Sequence, residues 1–236
     1  MKIKSAGIGD EHLMVDEAML EKICGYANLS RKDFVLEVGA GTGNLTKFLA
    51  ERASCVHAIE KNRGLFEKLE KEMAGYGNVE LVHADATKIK FPDCNKIVSN
   101  LPYSISRRIT KKFILHGFDV AVLVYQKEFA EKLVAGVGDD HYRMITALVR
   151  STCEIELLDS ISPEAFQPQP NVWSKIIRLK MKWNPPEEYA QFIQELFNHK
   201  NKHIRNILKD APKEYQQKKP AEMTPEELKD FYLELM

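Results

Sequence analysis

The run Asp33-Phe34-Val35-Leu36-Glu37-Val38 is almost continuously apolar and leads without a break into Gly39-Ala40-Gly41-Thr42-Gly43-Asn44. Such a run is a strand buried on both faces, as in parallel sheets covered by helices on each side. Three glycines at alternate positions permit a tight turn and let a ligand approach the main chain. Helical spacing then predicts a helix from about Leu45 to Ala53. A strand, a glycine loop and a helix in that order commit the chain to an open, doubly wound α/β sheet.

The next segments extend the sheet. Val56 to Glu60 is a second apolar strand that ends in an acid about 20 residues after the loop, where such folds place a ribose-binding carboxylate. Val79 to Asp85 ends in another acid, and Asn95 to Asn100 runs into Leu101-Pro102-Tyr103. Each acid alone is equally well explained as a helix N-cap, and Asn-Leu-Pro-Tyr alone as a proline turn. Four consecutive strand ends of this kind, at the edge where α/β sheets bind ligands, read instead as a nucleoside-cofactor site. The glycine spacing is tighter than the G-x-G-x-x-G of dinucleotide enzymes, and no G-x-x-x-x-G-K-[ST] cradle is present. Paired carboxylates without a phosphate cradle suit S-adenosylmethionine, with Glu60 on the ribose, Asp85 on the adenine amine, and Gly39 and Gly41 beneath the methionine part.

Asn100 to Tyr103 has separate uses for each residue. Asn100 brings a side-chain carbonyl and amide; Pro102 fixes φ and biases Leu101 towards an extended conformation, leaving its carbonyl at a cleft. Tyr103 brings a ring on which a base stacks. Together they suit gripping the exocyclic amine of a nucleobase. A helix predicted from Ser104 to His116 carries Arg107, Arg108, Lys111 and Lys112 on one face, a choice between a solvated surface and an RNA-phosphate contact. Asp119 to Tyr125 reads as a fifth buried strand, Lys127 to Val134 as a helix, and Glu154 to Ile161 and Ser174 to Met181 as two more strands. Between these last two, the proline-rich connection Ser162 to Pro170 presents Phe166 as a second aromatic surface.

Trp183-Asn184-Pro185-Pro186 breaks the pattern, which divides the chain into a domain over 1–183 and a helical appendage over 184–236. Helices are predicted there at Glu187 to Asn198, Lys202 to Lys209 and Pro225 to Met236. The formal net charge is zero, so a nucleic-acid partner has to meet a local patch. The basic stretch Lys200-Asn201-Lys202-His203-Ile204-Arg205-Asn206 is the densest candidate. Cys24, Cys55, Cys94 and Cys153 are far apart, without metal-ligand spacing, so no metal site is expected and a reducing compartment is. The segment Met1 to Gly7 has no apolar core for a signal peptide and no run reaches membrane-spanning length, so a cytoplasmic protein is expected.

The chain resembles the rRNA adenine N6,N6-dimethyltransferases of the KsgA type. The resemblance rests on Glu37-Val38-Gly39-Ala40-Gly41-Thr42-Gly43-Asn44-Leu45-Thr46, Glu60, Ala84-Asp85-Ala86, Asn100-Leu101-Pro102-Tyr103, Gln126 to Val134, Tyr142 to Thr146, and Phe166-Gln167-Pro168-Gln169-Pro170-Asn171-Val172-Trp173-Ser174. It implies a Rossmann-like, seven-stranded S-adenosylmethionine-dependent methyltransferase sheet with a small all-helical C-terminal domain. It also implies dimethylation of two adjacent adenosines near the 3′ end of small-subunit rRNA, a monomer acting on the immature small ribosomal subunit, and no membrane partner. Cofactor contacts carried over fall on His12, Met14, Gly39, Glu60, Asp85 and Asn100. Two departures stand out: the family's G-Q-[HN]-F-L-x-D reads Asp10-Glu11-His12-Leu13-Met14-Val15-Asp16 here, and its F-x-x-R-R-K reads Phe197-Asn198-His199-Lys200-Asn201-Lys202. The rivals are a large-subunit rRNA adenine methyltransferase and a non-catalytic nucleic-acid-binding assembly or transcription factor on the same fold.

Overall fold

The computed structural model describes residues 11–236; Asp10 of the N-terminal motif and the segment Met1 to Gly7 lie outside the described residues. Seven strands form one sheet: β2 (Phe34–Val38), β3 (Cys55–Glu60), β4 (Val79–His83), β5 (Lys96–Asn100), β6 (Val120–Gln126), β7 (Cys153–Ile161) and β9 (Ser174–Met181). A separate two-residue ladder joins β1 (Leu13–Met14) to β8 (Phe166–Gln167). The sheet order is β4-β3-β2-β5-β6-β9-β7, with β9 antiparallel to both neighbours and the other pairings parallel. The chain winds outward from β2 through β3 to β4, then crosses back so that β5 pairs on the other side of β2. That reversal opens a crevice at the carboxyl ends of β2 and β5.

Because side chains alternate along a strand, the apolar runs feed two cores. Val35, Val56, Ala58, Val98, Val122 and Val124 pack with α1 (Glu17–Ala27), α2 (Asn44–Ala50) and α3 (Arg63–Met73) through Leu20, Ile23, Leu45, Leu49, Leu69 and Met73. Leu36, Ile97, Ala121, Leu123, Tyr125, Ile177 and Leu179 face the other way. They meet α4 (Ser106–His116), α5 (Lys127–Leu133), α6 (Met144–Thr152), α7 (Glu187–Asn198) and α8 (Pro225–Leu235). Tyr189, Ile193, Leu196, Phe231 and Tyr232 of the C-terminal helices belong to that same continuous core.

Two expected features differ. The predicted helix over Lys202 to Lys209 is a single turn at Ile204–Asn206. Its backbone is claimed elsewhere: Ile204 N donates to Lys218 O and Arg205 N to Gln216 O, and Pro212 ends any continuation. The four cations of α4 do not share one face either. Arg107 and Arg108 are exposed, but Lys112 turns inward, donating to the carbonyls of Ala86 and Ile89 and lying 4.0 Å from the Phe91 ring centroid. Among the described residues no helix is long and apolar enough to cross a membrane.

Candidate active site

The glycine loop is held by the neighbouring strand. Gly39 N and Ala40 N both donate to Ile59 O, at 2.8 and 3.2 Å. Gly39 and Gly41 have φ of +77° and +61°, a region side chains disfavour. A Cβ at Gly39 would sit 2.9 Å from Pro102 Cδ, and one at Gly41 2.5 Å from Leu13 Cδ2. The loop therefore touches the proline turn after β5 on one side and the N-terminal β1 segment on the other.

A cleft of about 380 Å³ opens at this junction, within the roughly 300–1,000 Å³ of small-molecule sites. Its walls bring together His12, Gly39, Gly41, Glu60, Asp85, Asn100, Leu101, Pro102 and Tyr103 from the sequence reading. Met14 and Phe166 are not among them. Both are 2% exposed and pair with each other in the β1–β8 ladder; Met14 borders only a small hollow beside Gly39 and Asn44. Phe166 thus offers no open face to a base, because the ladder turns its ring into the core.

Glu60, at the end of β3, is buried, with one hydrogen bond already accepted on each oxygen. Its Oε2 accepts from Gly41 N at 2.9 Å and its Oε1 from Asn62 N at 2.6 Å. Burial raises its pKa, with those backbone N–H groups opposing the shift. Asp85, beyond β4, accepts from the hydroxyl and the backbone N–H of Thr87 and pairs with Lys61 at 3.1 Å. The Thr87 hydroxyl, with Lys61, holds that carboxyl well below the usual carboxylate range.

Asn100 Nδ2 donates to His12 O at 3.0 Å. A carbonyl only accepts, so the amide orientation is fixed and Oδ1 is left on the other branch as an acceptor. The His12 ring packs against Tyr103, centroids 5.4 Å apart and tilted 36°, and its Nδ1 lies 2.8 Å from Pro168 O. The Tyr103 hydroxyl is 2.7 Å from Ser174 Oγ. One N-terminal histidine thereby links the turn after β5 to the proline-rich connection.

Some lining residues carry weaker sequence signals. Glu11 accepts from Asn62 Nδ2 at 3.2 and 3.3 Å, and Asn62 Oδ1 caps α3 through Gly64 N and Leu65 N. The Asn-Arg-Gly after Glu60 was a readable N-cap signal; nothing local marks Glu11. Elsewhere, Cys55, His57 and Glu80 bring donor atoms within 4.8 Å of one another. The imidazole there is occupied on both nitrogens, by Glu80 at 3.0 Å and by Cys55 Sγ at 3.9 Å.

The donor set discriminates between cofactors. Glu11, Glu60 and Asp85 make the cleft acidic, and Lys61, the basic side chain in its wall, is paired with Asp85. A pyrophosphate meets repulsion there, whereas ribose hydroxyls, an adenine amine and a sulfonium cation meet acceptors. At Gly39 and Gly41 the place of a Cβ is taken by Pro102 and Leu13, so glycine is what lets the loop form this wall of the cleft. S-adenosylmethionine fits these residues.

Comparison with known proteins agrees. Residues 10–230 match the family model described as Ribosomal RNA adenine dimethylase. A Thermococcus onnurineus protein named Probable ribosomal RNA small subunit methyltransferase A is 38% identical over 252 residues, covering 96% of this chain and 90% of its own length. One of the same name from Methanopyrus kandleri is 40% identical over 205 residues, covering 84% and 74%. Among solved structures, a dimethyladenosine transferase from Plasmodium falciparum superposes with a TM-score of 0.82 at 28% identity, covering 95% of this chain and 97% of that one. The 23S rRNA methyltransferase ErmE gives 0.72 at 26%, covering 94% and 99%. With an acidic nucleoside cleft closed by Asn-Leu-Pro-Tyr and a family match that runs almost end to end, the chain belongs to the ribosomal RNA adenine dimethylase family.

Proposed function

We propose that this protein transfers methyl groups from S-adenosylmethionine to the N6 amines of two adjacent adenosines near the 3′ end of small-subunit rRNA. It acts as a monomer on the immature small ribosomal subunit. The observation that carries the reading is the contact between the glycine loop and the proline turn. It puts Asn100 to Tyr103 in the wall of the same cleft as Glu60 and Asp85.

When bound, the cofactor supplies an activated sulfonium methyl group. Glu60 accepts from the ribose hydroxyls on its remaining lone pairs. Asp85, ionised across the physiological range, accepts from the adenine amine of the cofactor. The acceptor adenine has its N6 lone pair delocalised into the ring and is a poor nucleophile. Asn100 Oδ1 and the Leu101 carbonyl accept its two N–H bonds and draw the nitrogen towards tetrahedral geometry. Tyr103, backed by His12 on one side, stacks the extruded base on its other face. Positioning supplies most of the rate, and the alkylated nitrogen is acidic enough to release its proton to water.

The test is transfer of labelled methyl from S-adenosylmethionine to small and, in parallel, large ribosomal subunits from strains without the respective modifications. Label in dimethyladenosine of small-subunit rRNA is expected. Label in large-subunit rRNA instead, or none, would overturn the assignment.

A further inference from the structure

The connection from β8 to β9 ends in two exposed apolar residues, Val172 and Trp173, the indole keeping half its surface in water at 51%. The other tryptophan, Trp183, packs against Tyr189 and Tyr232. Trp173 has no ring partner among the described residues. An indole left in solvent forgoes the burial that drives folding, so its surroundings indicate what covers it.

Those surroundings are the acceptor turn. Trp173 O accepts from Lys127 N at 2.9 Å. The next residue, Ser174, stands opposite Gln126 in the ladder and holds the Tyr103 hydroxyl. One strand, β6, separates β9 from β5, and Val124 stands opposite both Asn100 and Ile176, so two spacings of about 4.8 Å across the sheet and three residues along it put Trp173 roughly 14 Å from Asn100. A base extruded into the clamp has its neighbouring nucleotide within that reach. Arg107 and Arg108 stand exposed in the first turn of α4, just after Tyr103, with no carboxylate partner among the described residues. Exposed aromatic faces beside cations are how proteins hold single-stranded nucleic acid. The cations favour a polyanion over an apolar protein surface.

We infer that Trp173 is a stacking platform for a nucleobase flanking the acceptor adenosine in single-stranded rRNA, with Arg107 and Arg108 on the adjoining phosphates. The inference rests on the adenine-methylation reading above and names a second contact for the same RNA. Trp173 is a positioning residue: it acts on the neighbour of the reacting base.

The Trp183→Phe protein has Trp173 as its single indole. Titrating it with short oligoadenylate is expected to quench fluorescence saturably. In steady-state methylation of unmodified small-subunit rRNA, Trp173→Ala is expected to raise KM about tenfold, the scale of one lost base stack. Its kcat, and its S-adenosylmethionine affinity by calorimetry, should stay unchanged. Trp173→Phe should recover most of the KM. Absence of quenching together with an unchanged KM overturns the platform. A defect seen on assembled subunits but not on naked rRNA also overturns it, in favour of a protein contact. Wild-type protein that transfers no methyl group, while oligoadenylate still quenches Trp173, would sink the catalytic reading and support the platform.

Discussion

In the methyl transfer proposed above, Asn100 serves as an acceptor because one half of its amide is already committed. With Nδ2 tied to His12 O, Oδ1 is presented at low reorganisation cost, which is what a group that stabilises a developing charge distribution requires. Asn100→Ala is therefore expected to lower single-turnover transfer by on the order of 100-fold, while calorimetry still detects cofactor binding through Glu60 and Asp85. Unchanged turnover would remove Asn100 from the chemistry. Glu37 makes a different point. It is 2% exposed, accepts from Thr46 Oγ1 at 2.7 Å, and burial pushes its pKa from 4.5 to about 8. Between those values the folded chain holds a proton that the unfolded chain has released, so stability falls as pH rises through that window. Glu37→Gln keeps an acceptor for Thr46 and removes the titration. Its unfolding free energy, from denaturant titrations, should exceed that of the wild type by a margin that widens from pH 5 to pH 8, reaching on the order of a few kcal/mol. A margin that does not change with pH would show that Glu37 stays ionised. At this scale the strand-end residues were legible because spacing alone placed them. Phe166 and Lys112 were not, since whether a side chain faces a cleft or a core depends on ladders and loops made by distant residues, Met14 for one and the Ala86–Ile89 carbonyls for the other.

Between elements, the decisive contact is the one from Gly39 to Pro102. Two turns from different crossovers approach so closely that neither tolerates a larger neighbour, and the positive φ of Gly39 adds backbone strain to any substitution. Gly39→Ala should cost more than about 1 kcal/mol in denaturant titrations and weaken cofactor binding measured calorimetrically. Stability lost with cofactor affinity intact would mean the loop serves the fold alone. At the other end of the chain, α8 starts in a capping box: Thr224 Oγ1 accepts from Glu227 N at 3.1 Å, and Glu227 Oε2 accepts from Thr224 N at 2.8 Å. Thr224→Ala should therefore cost about 1 kcal/mol by chemical denaturation. That helix was readable from Thr-Pro-Glu-Glu, and β9 from its apolar run, since both signals are local. The helix over Lys202 to Lys209 fails for the opposite reason: its N–H groups find carbonyls at 216 and 218, partners that no window around residue 205 contains.

Over the whole molecule, the proline break at 184–186 marks a change in composition, and the packing raises the question of whether it also marks a folding boundary. Tyr189, Ile193, Leu196, Phe231 and Tyr232 lie in one buried cluster with Phe113, Leu123, Leu148 and Ile177. The Tyr142 hydroxyl also donates to Met223 O at 3.0 Å, across the proposed division. Burying each large side chain contributes about 1.5–3 kcal/mol. Stripping five of them from α4, α6 and the sheet therefore forfeits on the order of 10 kcal/mol, comparable with the entire stability of a domain at about 5–15 kcal/mol. A chain ending at residue 183 is accordingly expected to lack a cooperative thermal transition and to expose α6, while the full chain unfolds in one step by both circular dichroism and tryptophan fluorescence. A truncated chain that melts cooperatively and still binds S-adenosylmethionine would instead make 184–236 a separable appendage, free to be specialised for RNA without consequence for the sheet.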